Sequence, residues 1–391
     1  MAAISRGELR RARSRMDFSG PGACIGCDYN ERFIPGAPIN VSSSSHAGTA
    51  ARDLRLEQLE NWLAKLFGTR DFQVTTASAD ASFRRYFRVA RANDTWIAMD
   101  APPAKEDMEP YIRIAAMLVD VGVNAPRVIE RNDEEGFLLN SDLGSRTYLM
   151  DLDAQGDADR LYADAIEALV RIQARGGGHA ARLPPYDDAL LRREMGLFPE
   201  WFCGRHLGLT LSGDEAVALA GVFDVLSETA LQQPRVFVHR DYHSRNLMVG
   251  DGARHGPNPG ILDFQDAVNG PVTYDLVSLL GDCYVAWPVE RVRAWALQFR
   301  AAAHGAGVGV GSSESEFLRW FDLMGVQRHL KAIGIFARLW HRDGKPGYLN
   351  DIPRTLNYVQ TVSGSYRELQ FLRSFIDGRV LPALEAARAR G

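Results

Sequence analysis

The feature that most restricts the fold of this 391-residue chain is a set of short apolar runs that end in polar residues at fixed distances. Val236-Phe-Val238 is apolar, His239 closes it, Asp241 follows, and Asn246 stands five positions after that aspartate. A second apolar piece, Leu247-Met-Val249, comes directly behind. A third, Gly260-Ile-Leu262, delivers Asp263 in the string Asp263-Phe-Gln-Asp266. Short apolar runs bounded by turn residues read as buried strands, so the acids and the amide are expected at strand ends.

The rest of the chain has two characters. Leu56, Leu59, Trp62, Leu63 and Leu66 fall at helical spacing, and Gly68 closes that helix. A β-rich stretch follows, with strands predicted at 72–76, 83–89, 96–99, 127–130 and 136–139 and one helix at 107–121. After Leu143-Gly144 helices dominate, over 158–175, 186–207, 213–231, 273–285, 289–303, 314–340 and 355–388. The glycine-rich segment 304–312 has no preceding strand and no G-x-G-x-x-G spacing, so it reads as a flexible link between helices. Residues 1–52 are rich in Gly, Pro and Ser with little periodicity and read as a disordered extension. The expected fold is α+β and bilobal. A small β-rich N-terminal lobe spans 53–140, and a larger, mostly helical C-terminal lobe spans 141–391.

Composition removes several classes of function. The net charge is −4, so nothing global points to nucleic acid or to an anionic membrane surface. No apolar run reaches the length of a membrane span, and the arginine-rich N-terminus lacks the apolar core of a secretory signal. The expectation is a cytoplasmic monomer without nucleic-acid or membrane partners. Four cysteines make no disulfide framework in a chain this long. Cys203 and Cys283 sit among apolar residues and read as buried thiols. Cys24 and Cys27 form a C-x-x-C with no further ligands at zinc spacing.

The order H-x-D, asparagine five residues later, then I-L-D-F is the catalytic-loop spacing of kinases. Phosphoryl transfer explains the residue types: an anionic group to take the acceptor's proton, and oxygen ligands for a hard cation. Asp241 is thus the candidate base, and Asn246 and Asp263 are the candidate metal ligands. The loop resembles the aminoglycoside-phosphotransferase family rather than eukaryotic protein kinases. His243 stands two residues after the base, where that family usually has histidine. The run from Asp263 through Gly270-Pro271 to Asp275-Leu276 matches its acid, Gly-Pro turn and Asp-Leu pattern. The resemblance covers residues 54–390 and implies ATP and Mg2+ as cofactors. It also implies His239 and His243 as supports of the catalytic loop and Asp275 as its anchor from the next helix.

Further strings are similar to the bacterial N-acetylmuramate/N-acetylglucosamine anomeric kinases. They are Ala77-Ser-Ala-Asp-Ala-Ser-Phe-Arg-Arg-Tyr-Phe-Arg-Val89, Met99-Asp-Ala-Pro-Pro103, Ser141-Asp-Leu-Gly144, Phe198-Pro-Glu-Trp-Phe202 with Arg205-His-Leu-Gly208, and Arg338-Leu-Trp-His-Arg-Asp-Gly-Lys345. That likeness implies phosphorylation of the C1 hydroxyl of a free amino sugar in peptidoglycan recycling.

The nucleotide side departs from the general kinase pattern. The phosphate-covering loop, Ser78-Ala79-Asp80-Ala81-Ser82, contains no glycine, although small residues still let backbone N–H groups approach phosphate. Laying Ile97-Ala-Met-Asp100 on the V-A-I-K strand puts Ala98 under the adenine and Asp100 in the lysine's place. No lysine occurs from 66 to 104, so Arg84, Arg85 and Lys105 are the candidates for the missing charge, with arginines on a solvated strand face as the other reading. Strand alternation sets Arg84, Tyr86 and Arg88 on one face and Arg85 with Phe83, Phe87 and Val89 on the other. Glu106 and Glu109 are candidates for the helix glutamate, and Ser141 and Asp142 for the hinge. In segments 192–206 and 338–354 basic residues outnumber acidic ones, which suits a carboxylated or neutral sugar better than a polycation. Glu200, Trp201, Arg205, Arg338 and Arg342 are the acceptor-site candidates there. Two alternatives stand: a same-family kinase for an aminoglycoside, choline or homoserine, and a non-catalytic nucleotide-binding regulator.

Overall fold

The computed structural model describes residues 53–79 and 83–389. The expected extension 1–52 with its Cys24/Cys27 pair, and the loop residues Asp80, Ala81 and Ser82, lie outside the described residues.

Local sequence sets the first helix, α1 (Leu54–Phe67). Asp53 accepts a hydrogen bond from the Leu56 N–H, and Gly68 leaves the helix in the left-handed region at φ 66°. Leu59 and Leu63, one turn apart, are fully buried on the outer face of a five-stranded antiparallel sheet. Its strands are β1 (Gln73–Ala79), β2 (Arg85–Arg91), β3 (Asp94–Asp100), β4 (Val128–Asn132) and β5 (Phe137–Ser141), in the order β1-β2-β3-β5-β4. The period of two puts Phe87, Val89, Ala98, Phe137 and Leu139 on the α1 side. Tyr86, Arg88 and Ile97 fall on the other face and look into a cleft. Between β3 and β4 comes α2 (Glu109–Asp120), with Pro110 in its first turn and Ile114, Ala115 and Leu118 buried.

The larger lobe is helical. Its elements are α3 (Tyr148–Asp153), α4 (Ala158–Arg175), α5 (Gly177–Ala180), α6 (Asp188–Leu197), α7 (Gly213–Leu231), α8 (Tyr274–Leu280), α9 (Val289–Gly305), α10 (Glu314–Asp343), α11 (Ile352–Ser365), α12 (Gln370–Phe375) and α13 (Leu381–Arg388). Every residue from Trp320 to Gly334 of α10 is buried, so this helix is the axis of the lobe. Gly334 lets α10 meet α6 closely, because a Cβ there would fall 2.4 Å from the Leu197 carbonyl carbon. Two short antiparallel ladders interrupt the helices: β6 (Arg235–Val238) with β9 (Val268–Pro271), and β7 (Leu247–Met248) with β8 (Gly260–Ile261). No helix among the described residues is long and apolar enough to cross a membrane.

Three sequence expectations change. The helix expected over 186–207 is α6 followed by a π-helical segment, Phe198–His206. Pro199 has no N–H and its ring crowds the preceding turn, which a wider turn relieves. The helix expected over 355–388 is broken into α11, α12 and α13, with a tight turn at Arg367–Leu369 and a π-helical stretch at Ile376–Val380. The segment 304–312 is not a loose link. α9 runs into it as far as Gly305, and Val308 and Val310 are buried.

Candidate active site

The floor of the cleft is a loop shaped by buried side chains. Asp275, in the first turn of α8, accepts the His239 N–H at 2.6 Å and the Arg240 N–H at 2.9 Å. Burial pushes its carboxyl up to about 7 against those two bonds, which favour the charged form. Arg240 has a φ of 80°, in the left-handed region, and its guanidinium is paired with Glu194 of α6. Glu194 also meets Lys331 Nζ at 3.1 Å and takes a hydrogen bond from the Tyr186 hydroxyl. Burial opposes its ionisation, but Lys331 and Arg240 outweigh burial and hold it at about 2. The strained residue before Asp241 is therefore fastened from two sides. His239 is buried, its Nδ1 accepting the Asp241 N–H at 3.2 Å, and burial lowers the imidazole to about 4. His243 packs edge-on against Tyr284, and burial, with Arg328 and Arg245 nearby, holds it well below the usual histidine range.

Asn246 and Asp263 meet on this loop. Asn246 Nδ2 donates to the Asp241 carbonyl at 3.0 Å and to Asp263 Oδ2 at 3.3 Å. With the amide nitrogen so used, the amide oxygen is the atom suited to a cation. Asp263 is itself in the left-handed region at φ 61°, and Gln265 Nε2 donates to its Oδ1 at 2.7 Å. The glutamine that stands in for the usual glycine thus orients the carboxylate. One carboxylate and one amide oxygen fit Mg2+, which takes few protein ligands and completes its octahedron with phosphate oxygens and water. Among the described residues no cluster of three or more His, Cys, Asp or Glu forms a denser metal site.

A cavity of about 330 Å³ lies between floor and sheet. Ile97 above and Met248 and Leu262 below give it apolar walls suited to a planar base, while Asn246, Asp263 and Phe264 mark its catalytic end. Ser141 and Asp142 line the hinge side. Asp142 does so through a partner: it grips Arg88 twice, at 2.7 and 3.0 Å, and the Gly144 carbonyl takes a third bond from the same guanidinium at 2.8 Å.

Two nucleotide-side candidates turn away. Ala98 is buried on the α1 face, and Ile97, one residue earlier, lines the cavity. Arg85 is on that outer face too, where it and Arg55 neutralise the fully buried Asp100. The aligned pattern was one residue out of register, and a one-residue slip exchanges the faces of a strand. Arg84 is different. It is buried with Nε 3.6 Å from Glu106, and its charge reaches Tyr111, whose ring lies 4.9 Å from that of Phe264. Lys105 lies over the exposed Phe83 ring, and Glu109 pairs with Arg131 on the surface. Ser78 and Ala79 end β1, paired through backbone with Tyr86 and Arg85.

The five acceptor candidates are outside the cavity lining. Glu200 is exposed, Arg205 lies over the Trp201 ring, Arg338 is buried and Arg342 pairs with Asp343. The charge count that favoured an anionic acceptor weakens as well, since Arg192 is tied to Asp188 and Asp224 and Arg354 to Asp351. Reading the sequence set Arg88 on one strand face with Tyr86 but did not name it as a site residue, and both line the cavity. It also missed the Glu194–Arg240–Lys331 network, whose members are far apart in the chain and carry no local signal.

The family model described as the phosphotransferase enzyme family matches residues 73–317. An N-acetylmuramate/N-acetylglucosamine kinase of Pseudomonas aeruginosa is 47% identical over 327 residues, 81% of this chain and 94% of that one. The protein of the same name from Neisseria meningitidis is 44% identical over 316 residues, 80% of this chain and 92% of that one. Two solved structures share the fold. The GDP complex of wild-type aminoglycoside 2'-phosphotransferase-IIIa has a TM-score of 0.54 at 17% identity, covering 80% of this chain and 100% of that one. Choline kinase LicA from Streptococcus pneumoniae has a TM-score of 0.54 at 11% identity, covering 80% and 99%. The bilobal fold, the loop geometry and a family match over residues 73–317, more than half of the chain, agree, and this chain belongs to the phosphotransferase enzyme family.

Proposed function

We propose that the protein is an ATP-dependent kinase that phosphorylates the anomeric C1 hydroxyl of N-acetylmuramate, N-acetylglucosamine or both, as a step of peptidoglycan recycling. The observation that carries the kinase chemistry is the Asn246 amide, which joins the Asp241 loop to the Asp263 carboxylate at one end of a nucleotide-sized cavity. The amino-sugar acceptor is supported by relatives that are 44 and 47% identical and bear that name.

In this reading the base lies against Ile97, Met248 and Leu262, and the phosphates run toward Asn246 and Asp263. Magnesium held by those two residues would neutralise charge on the phosphates. Asp241 accepts the proton of the sugar hydroxyl and aims its oxygen at the γ-phosphorus. His239 stays neutral and fixes the Asp241 backbone, while Asp275 holds the turn before it. Arg84, backed by Glu106, supplies the positive charge that the sequence lacks as a lysine. Catalysis is positioning and charge neutralisation, without a covalent enzyme intermediate. A kinase of this kind works where ATP is made and used, in the cytoplasm, and the proposed site is built from one chain.

A coupled assay of ADP release with N-acetylmuramate, N-acetylglucosamine and kanamycin tests the acceptor. Turnover of either sugar, with a ³¹P spectrum placing phosphate at C1, is the expected result. Turnover of kanamycin alone sinks the sugar reading. Phosphate at C6 keeps the kinase and removes the anomeric assignment.

A further inference from the structure

Asn140 is the last residue but one of β5 and stands across from Ile97 in the β3–β5 ladder. Side chains opposite one another in a ladder share a face, and both residues line the cavity. Asn140 is 1% exposed, so its amide is deep in a wall that is otherwise apolar at Ile97, Met248 and Leu262. The amide nitrogen is committed, since Nδ2 donates to the Ile97 carbonyl at 3.4 Å. Turning the amide over would set oxygen against oxygen there, so this contact fixes which atom is which.

The amide oxygen is different. Oδ1 is buried and has no hydrogen-bond partner among the described residues. A buried acceptor left unmade is destabilising, and most such atoms in folded proteins are satisfied. Its polar neighbours in the chain have other work. Ser141 Oγ accepts the Arg127 N–H at 2.9 Å, and its N–H donates to the Arg127 carbonyl at 3.0 Å. The Asp142 carboxylate holds Arg88 and the Gly144 N–H. One acceptor is thus left over at the hinge edge of an apolar slot, and only a donor can use it.

We infer that Asn140 selects the base of the nucleotide, its amide oxygen accepting a hydrogen from the exocyclic 6-amino group of adenine. This rests on the ATP reading above. Adenine and guanine present the same kind of flat face to Ile97, Met248 and Leu262, so those walls give no choice between them. The two bases differ at position 6, where adenine carries an N–H donor and guanine a carbonyl acceptor. Guanine in the same seat sets two desolvated oxygens against each other, which rejects the wrong base as well as holding the right one.

The test is titration calorimetry of the full-length protein with the magnesium complexes of ADP, GDP and inosine diphosphate, for wild type, Asn140→Leu and Asn140→Ser. Inosine has the 6-carbonyl of guanine without its 2-amino group, so it isolates position 6. Wild type should bind ADP at least about 10-fold more tightly than either of the others. Asn140→Leu, similar in size and without polar atoms, should lower that preference about 10-fold, chiefly by weakening ADP. Asn140→Ser, whose hydroxyl both donates and accepts, should also move the three affinities together. Inosine diphosphate bound as tightly as ADP would place the selection at the 2-amino group and overturn the inference. So would a wild-type preference for GDP, or a preference unchanged in Asn140→Leu. Should Asn140→Leu fail to fold, the ratio in Asn140→Ser decides. Wild type that binds none of the three would remove the nucleotide reading itself, a failure visible before any variant is made.

Discussion

The floor and the roof of the cleft are built on different principles. On the floor, each important residue is held by a named contact to its own loop or to the helix behind it: Asp275 on the backbone of 239–240, Asn246 on Asp241 and Asp263, Gln265 on Asp263. On the roof, the charged residues are placed by ion pairs with distant partners and, for the two inside β2, by strand register: Arg84 with Glu106 ahead of the strand, Arg88 with Asp142 and Arg85 with Asp100 within it. A floor of that kind tolerates little change of residue type, so it keeps a motif. A roof of that kind carries arginines at several positions, and the proposed function draws the charge of the absent lysine from one of them, Arg84.

The largest expected effect tests the floor. Asp241→Asn should lower kcat by about 10²- to 10⁴-fold with the fold unchanged, because a positioned base is lost. Unchanged phosphoryl transfer in that variant would break the base assignment and favour a nucleotide-binding role without catalysis. Next comes a contrast within the roof. Arg84→Gln should lower kcat/KM for ATP by roughly 10- to 100-fold, the weight of a charge-assisted contact to phosphate. Arg85→Gln should leave KM for ATP where it was and lower the melting temperature, since its partner Asp100 is buried on the α1 side. If the two variants exchange these behaviours, the assignment of Arg84 to the cleft and Arg85 to the α1 side is wrong.

A third prediction concerns the support beneath the floor. Glu194 ionises at about 2 in the fold against an ordinary 4.5. Its stabilising contribution is present above pH 4.5 and fades as pH falls from there toward 2. Glu194→Gln should therefore lower Tm at pH 7 and flatten its fall between pH 5 and 3. A variant curve parallel to wild type over that range would separate Glu194 from acid stability. The smallest effect is expected at Gln265→Gly, where loss of one hydrogen bond to Asp263 should cost about 1 kcal/mol, roughly fivefold in kcat. The Mg2+ requirement should rise in step.

The sequence determined the motif, the two-lobe class and the faces of β2. Asp241, Asn246 and Asp263 were legible because their spacing is imposed by one short loop and one hairpin. Alternation separated Tyr86 and Arg88 from Arg85 and Phe87, because a strand has a fixed period, but the strand begins only at Arg85, so Arg84 and the exposed Phe83 lie outside it. Only the tertiary structure decided the register of β3, the break of the 186–207 helix at Pro199, and the network that joins Glu194, Arg240 and Lys331. It also set the Asn140 amide against the Ile97 carbonyl in the cavity wall. The physical reason is range. Spacing and periodicity act within a few residues, whereas the strand face that meets α1 is decided when Leu59 and Leu63 pack on the sheet, and the acid that neutralises a buried cation is decided when α10 packs against α6.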